Sequence, residues 1–373
     1  MSDARPIEAG VAESGGEMRI AHVNFARGFR GGERQTLNLI EGLAELGVEQ
    51  SLVCRDGSEL QRRICPAKCA ASVVAHPLLG HISPPAADVI HVHEARGAYW
   101  AAIEHAVRDT PYIITRRIPN PISDSYITRS VYQHAARLLG VSQDVSNRLS
   151  RQTGLPASTI LSSTTALAMQ PDKVRQIKRD LGGGPIIGHV GALHDRHKGQ
   201  SVLIQAFQRL VRDYPEARLL LVGEGPDRAR FEALSNGDSR IRFVGLQQEV
   251  GSWIAAMDVF CFPSREEGLG SSVLDAMALR IPVVASCVGG LPELIGDQER
   301  GSSVCDHDPG NWEDAIRRAL TDSVARQGQL DAAYDFATGN GVGAMTKSYV
   351  ALYEKILSDR YRGAPGENNI VGA

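Results

Sequence analysis

The chain has 373 residues, 43% hydrophobic and 22% charged, with a formal net charge of −3. That composition excludes a disordered chain and a basic general nucleic-acid binder, and the length fits two domains at roughly 150 residues each. No run of 18 apolar residues occurs, so no membrane-spanning helix is expected. Residues 1–17 are polar and lack the apolar stretch of a signal peptide; they read as a disordered tail, with folded sequence starting at Met18. A strand is predicted at 20–25, a Gly-rich turn at 28–32, and then an amphipathic helix with Leu37, Ile40, Leu43 and Leu46 on one stripe, closed by Gly47. Further strands are predicted at 51–54, 72–75, 88–93, 112–115 and 138–141. The Ser/Thr-rich stretch 161–171 reads as an interdomain linker, after which the pattern restarts with strands at 185–190, 218–222, 240–244, 258–263 and 282–285. Helical segments between most of these strands give the alternation of a doubly wound parallel sheet, twice over. A last amphipathic stretch, 345–357, carries Tyr349, Leu352, Tyr353 and Ile356 at helical spacing.

The domains expected are therefore a tail at 1–17, a Rossmann-like domain at 18–165, a second at 166–340, a closing helix at 341–360 and a flexible tail at 361–373. Ligands of such sheets bind beyond the carboxyl ends of the strands, so two facing sheets make a cleft between them. The six cysteines, at 54, 65, 69, 261, 287 and 305, include no CxxC pair. Neither zinc nor a disulfide framework is expected, and a reduced, cytoplasmic setting fits best.

The strongest local signal is PSREEGLGSSVLDAM at 263–277, a strand running into a Gly-containing loop and a helix beginning near Ser271. The free N–H groups of Gly270, Ser271, Ser272 and Val273 at a helix start form an anion site apt for a diphosphate. Gly268 and Gly270 let a ligand approach the backbone. Glu267 is placed to accept hydrogen bonds from sugar hydroxyls, and Asp275, one turn into the helix, from ribose hydroxyls. A capped helix with two surface carboxylates fits the same residues.

This stretch resembles the E-x7-E signature of retaining glycosyltransferases of GT-B fold, family 4 type (glycosyl transferases group 1). RIPVVAS at 280–286, GGLPE at 289–293, LVGEGP at 221–226, IRFVG at 241–245 and GGER at 31–34 are similar to the same family, in family order. The resemblance implies a GT-B fold: two Rossmann-like domains facing a cleft, with a C-terminal helix crossing back onto the first. It implies that the backbone at Gly31 and Gly32 abuts the donor diphosphate. Phe243, Val244, Gly245 and Leu246 would flank the nucleobase, and Gly223 and Glu224 would lie at the base and ribose edge. Glu267 would contact the donor sugar, Leu269, Gly270, Ser271 and Ser272 the sugar and phosphates, and Lys198 the leaving diphosphate.

The departures from the family pattern matter as much. The second Glu is Asp275, one methylene shorter. The phosphate-binding Arg of the Gly-Arg-x5-Lys-Gly pattern is Ala192, with Arg196 as first candidate replacement and His194 as second. The His of the family's Thr-x-His strand end is taken to be replaced by Arg116, which cannot act as a base and would bind an anionic acceptor or the donor phosphate. In DVIHVHE at 88–94, alternation points His91 and His93 to one side, and His93 is the expected pocket residue. The linker reads SSTT at 162–165 where relatives carry Asn-Gly-x-Asp.

The resemblance thus implies a retaining, metal-independent transfer of sugar from a nucleoside-diphosphate donor, UDP- or GDP-linked, to a glycan or glycolipid hydroxyl, with no further cofactor. A bacterial surface-polysaccharide or lipopolysaccharide pathway is the expected context. Residues 108–151 hold seven Arg and no Lys against three Asp, a local excess that suits a lipid-linked acceptor and peripheral contact with an anionic membrane, with 125–139 as the membrane-facing candidate. Asp306-His307-Asp308 has metal-site spelling but reads as a loop. Alternatives are an epimerase or hydrolase of the same fold, or a nucleotide-sugar-binding protein without catalysis, for which Ala192, Arg116 and Asp275 speak.

Overall fold

The computed structural model describes residues 18–74, 80–165, 167–321 and 324–363. The expected tails, 1–17 and the end of 361–373, lie outside the described residues, as does residue 75 of an expected strand. The first domain contains β1 (Arg19–Asn24), α1 (Gly31–Glu45), β2 (Glu49–Arg55), α2 (Glu59–Arg63), β3 (Ala70–Val74), β4 (Val89–Val92) and α3 (Ala95–Arg108). It continues with β5 (Tyr112–Arg116), α4 (Tyr126–Gln133), β6 (Arg137–Gly140), α5 (Gln143–Thr153) and β7 (Ala157–Thr159). The second domain opens with α6 (Pro171–Asp180), β8 (Ile186–Val190), α7 (Asp195–Lys198), α8 (Gln200–Leu210), β9 (Arg218–Val222), α9 (Arg228–Leu234) and β10 (Ile241–Phe243). Then come α10 (Gly251–Ala255), β11 (Val259–Phe262), α11 (Ser271–Ala278), β12 (Val283–Ser286), α12 (Leu291–Ile295), β13 (Ser302–Val304), α13 (Pro309–Thr321) and α14 (Val324–Gly339). The chain closes with α15 (Val342–Gly363).

The strands form two parallel sheets, ordered β3-β2-β1-β4-β5-β6-β7 and β10-β9-β8-β11-β12-β13. Strand order reverses between β1 and β4 in one sheet and between β8 and β11 in the other. The crevices at these switch points face the carboxyl ends of the strands, where doubly wound sheets hold ligands. The GT-B architecture is thereby established. Continuous apolar runs such as Leu219–Leu220–Leu221–Val222 are buried on both faces, as parallel strands covered by helices on each side require.

Helix α1 shows how local sequence sets the frame. Leu37, Leu39, Ile40 and Leu43 are buried, whereas Leu46, expected on the stripe, is 54% exposed because it is the helix C-cap. Gly47 takes φ +74 and the Val48 N–H donates to the Leu43 carbonyl at 3.1 Å, closing the helix with a Schellman turn. The polar side of α1 is also buried. Gln35 accepts from the Ser163 N–H (2.9 Å) and donates to its carbonyl (2.8 Å), and Asn38 donates to Ser163 Oγ (3.1 Å). The Ser/Thr linker is therefore pinned to α1.

Helix α15 packs on the first domain: Met345, Tyr349, Tyr353 and Ile356 meet Ile20, Leu39, Leu43, Val89, Ile113 and Leu139. Three expectations are corrected. Strands β7 and β13 go unforeseen. The 125–139 segment holds only a short helix, α4, with Leu138 inside β6. Cys287 and Cys305 form a disulfide. They follow paired strands β12 and β13, whose ends Ser286 and Val304 are in register, so the two side chains meet although 18 residues separate them in sequence.

Candidate active site

The second domain supplies a charged pair at a helix mouth. Strand β11 ends at Phe262, and the loop that follows turns back through Gly270 at φ +91 into α11. No side chain among the described residues caps α11; against expectation the Val273 N–H donates to the Gly270 carbonyl at 2.8 Å, which leaves the Ser271 and Ser272 N–H groups at the helix mouth. Above them, Lys198 at the end of α7 pairs with Glu267 and lies 4.9 Å from the Phe262 ring centroid. Ser264 Oγ and the Gly268 N–H also donate to the Glu267 carboxylate, at 3.3 and 3.2 Å. Two of the residues named from sequence are thus brought together with Leu269, Gly270, Ser271, Ser272 and Val273. Arg196 is exposed and lacks an ion pair among the described residues. Two positions from Lys198 on a helical turn, it points about 200° away, so this state gives it no share in the Lys198–Glu267 site.

The first domain closes over this mouth. A Cβ on Gly31 would stand 3.7 Å from Ser271 Oγ, and one on Gly268 would stand 2.0 Å from the Arg117 carbonyl oxygen. Only glycine fits the second position. Gly31 and Gly32 begin α1, so a second helix N-terminus meets the α11 mouth. Arg117, just past β5, lies on the same seam: a Cβ on Gly32 would be 3.5 Å from its Cδ. Arg116, the residue named from sequence, instead donates to the Asn120 carbonyl (2.8 Å) and lies beside Tyr132. Successive side chains at a strand end face opposite ways, which puts Arg117, and not Arg116, into the cleft.

His93 does reach this region. Its ring centroid is 3.9 Å from that of His91, as alternation predicted. Its neighbours form a directed chain. The Arg117 guanidinium must donate to His93 Nδ1 (3.3 Å), so His93 Nε2–H donates to His22 Nδ1 (2.9 Å) and His22 Nε2–H donates to Gln50 Oε1 (3.0 Å). His91 is held by Tyr353 Oη (2.7 Å) and Thr115 Oγ1 (2.8 Å). Burial keeps all three imidazoles neutral, His22 down to about 4 and the others well below the usual range. His22, His91 and His93 have the proximity of a metal-ligand set, but every ring nitrogen already has a hydrogen-bond partner and a guanidinium adjoins the group. The cluster is a satisfied polar network. Asp308 Oδ1 accepts from the Gly310 and Asn311 N–H groups (2.8 and 3.2 Å) at the start of α13, so the Asp306-His307-Asp308 stretch is a loop that caps a helix.

At the ends of β9 and β10, Gly223 takes φ +139, and a Cβ there would stand 2.0 Å from the Gly191 carbonyl. Its N–H donates to the Gly245 carbonyl (2.9 Å), while Val244 N–H donates to that of Leu221 (3.1 Å). Glu224 reaches over Gly245 and pairs with Arg228. Gly223, Glu224, Phe243, Val244 and Gly245 therefore share one rim, with Leu246 76% exposed beyond it. Asp275 sits elsewhere. It is buried, its Oδ1 accepts from the Thr165 N–H in the linker (2.8 Å), and burial pushes its carboxyl up to about 7. A ribose contact would require this carboxylate to leave Thr165.

Two family models match the chain: Glycosyltransferase Family 4 over residues 29–161 and Glycosyl transferases group 1 over residues 184–322. The sulfoquinovosyl transferase SQD2 of Arabidopsis thaliana is 33% identical over 139 residues, and the chain spans only 26% of its length. The lipopolysaccharide core biosynthesis glycosyltransferase LpsE of Rhizobium meliloti is 26% identical, covering 90% of this chain and 98% of that one. Among solved structures, Anabaena Alr3699/HepE in complex with UDP and glucose superimposes with a TM-score of 0.76 at 16% identity, over 91% of this chain and all of that one. Matched domain by domain, in order, on two facing parallel sheets, the chain belongs to the family 4, group 1 glycosyltransferases of GT-B fold.

Proposed function

We propose that this protein transfers a sugar from a UDP- or GDP-linked donor to a glycan or glycolipid hydroxyl, with retention and without a metal ion. The observation that carries the reading is the Lys198–Glu267 pair at the uncapped mouth of α11, facing the Gly31–Gly32 start of α1. Two helix dipoles and an ammonium stabilise a leaving diphosphate where other enzymes use a metal ion. Once a diphosphate draws Lys198 away, Glu267 is free to accept from sugar hydroxyls. His93 is unsuited to be a base, since both its nitrogens are engaged; in retaining chemistry the departing phosphate oxygen takes the acceptor proton. HepE was solved with UDP and glucose, which supports a uridine donor here. The likeness to LpsE supports a role in surface-glycan synthesis. Exposed Tyr126 and Ile127 beside Arg129 on α4 support peripheral contact with anionic lipid. No described helix is long and apolar enough to cross a membrane.

The test is nucleotide release from UDP- and GDP-sugars, with and without a glycan acceptor, in the presence of EDTA. The expected result is acceptor-dependent release that EDTA leaves unchanged, with the product's anomeric configuration matching the donor's by NMR. Lys198→Ala should lower the rate by about 10²–10³-fold without unfolding the protein. Release without acceptor would indicate a hydrolase, and binding without release a non-catalytic protein.

A further inference from the structure

Arg117 is a cation without a counter-ion. Its Nε is buried and has no hydrogen-bond partner, and no carboxylate pairs with its guanidinium among the described residues. The groups around it do not neutralise it. His93, His91 and His22 are neutral, and Tyr349 and Tyr353, brought in by α15, keep their protons because burial raises both hydroxyls. Glu33, a carboxylate whose charge reaches Arg117, is engaged at the start of α1, accepting from the Arg30 N–H at 2.8 Å. A buried, unpaired charge is unfavourable to maintain, and an anion that completes it is bound correspondingly well. The Nε edge of a guanidinium presents two parallel N–H groups, which match a carboxylate or phosphate, and here its Nε–H is unpartnered. This edge sits on the seam between the Gly32 and Gly268 loops, where donor sugar and acceptor would meet.

We propose that Arg117 forms a subsite for an anionic group other than the donor diphosphate, a carboxylate or a phosphate carried by the reacting sugars. The inference rests on the glycosyl-transfer reading above. It makes the protein selective for a charged sugar, either a hexuronate donor or an acceptor phosphorylated near the accepting hydroxyl.

Calorimetric titration of wild type, Arg117→Gln and Arg117→Lys tests it. The donor arm compares UDP, UDP-glucose and UDP-glucuronate; the acceptor arm compares glucose and glucose 6-phosphate in the presence of UDP. In one arm the charged ligand should bind wild type at least tenfold more tightly than its neutral counterpart. Arg117→Gln should abolish that preference while leaving UDP affinity within threefold, and Arg117→Lys should retain part of it. Preference in the donor arm identifies a uronate, and in the acceptor arm a phosphate. Equal affinity for charged and neutral ligands in both arms overturns the proposal. So does an Arg117→Gln loss of the same size for UDP alone, which would make Arg117 a diphosphate clamp. If wild type binds none of the nucleotides, the glycosyl-transfer reading itself fails, a distinct result.

Discussion

At the scale of single residues, the buried titratable groups pull stability in opposite directions. His22, His91 and His93 are buried neutral, with pKa values below the usual 6.5. The unfolded chain binds protons there first, so their contribution is full above about pH 6.5 and is lost as pH falls toward 4. Asp275 has the reverse sign. Its folded pKa, about 7, lies above the ordinary 3.8, so its contribution is full below that ordinary value and is lost as pH rises through 7. Asp275→Asn keeps an oxygen for the Thr165 N–H but never ionises. The variant should therefore gain stability relative to wild type from about pH 4 upward, by at most about 1.4 kcal/mol per pH unit, levelling off above pH 7. Thermal melts across pH 4–8 would read this directly, and parallel curves would refute it. The same variant should leave UDP affinity within about threefold if Asp275 stays with the linker. A larger loss would mean that the carboxylate turns to the ribose on binding.

At the scale of elements, α15 depends on a close approach that one side chain controls. A Cβ on Gly42 of α1 would stand 2.1 Å from Thr346 Oγ1 and 3.0 Å from Val342 Cγ1. Thr346 is buried, with its hydroxyl donating to the Val342 carbonyl at 2.8 Å, so it has no room to swing aside. In an exposed helix, Gly→Ala gains up to about 1 kcal/mol. Gly42→Ala should instead lose about 1–3 kcal/mol through overpacking. Gly343→Ala on α15, with nothing within 4 Å of its Cβ, should be neutral or gain. Chemical denaturation of the two variants separates them; equal behaviour would mean α15 is not held at this contact. Such elements differ in how far sequence reveals them. The long apolar strands and α15's Tyr349–Tyr353 stripe are legible because one-sided burial leaves a period. Strands β7 and β13, AST and SSV, are three-residue edge strands with polar composition, and their pairing is set by neighbours. The choice between Arg116 and Arg117 turns on where β5 stops, and a one-residue shift there exchanges the faces. Asp275 carries the family's spacing, but its bond to Thr165 is fixed only once the linker is in place.

At the scale of the whole molecule, two facing Rossmann-like domains are readable from the repeated pattern, but the contacts that hold the cleft shut are not, because they join segments far apart in sequence. Glu293 on α12 accepts from the Gln143 and Asp144 N–H groups at 2.8 and 3.1 Å, so a carboxylate of one domain caps helix α5 of the other. Ser142 adds a second tie, its Oγ donating to the Gly268 carbonyl at 2.7 Å in the loop that leads into α11. A carboxylate at a helix N-terminus contributes about 1 kcal/mol, and here that term exists only in the closed arrangement. Glu293→Ala should therefore shift the balance toward an open cleft by about fivefold, the equivalent of 1 kcal/mol, and weaken UDP binding by a similar factor. Small-angle scattering should show a larger radius of gyration for the free variant, with UDP restoring the wild-type value. Glu299→Ala, whose carboxylate pairs with Arg300 within its own domain, should change neither quantity. Unchanged scattering and UDP affinity in Glu293→Ala would mean that other contacts between the domains, such as the Ser142–Gly268 hydrogen bond, and not this cap, set the closed state.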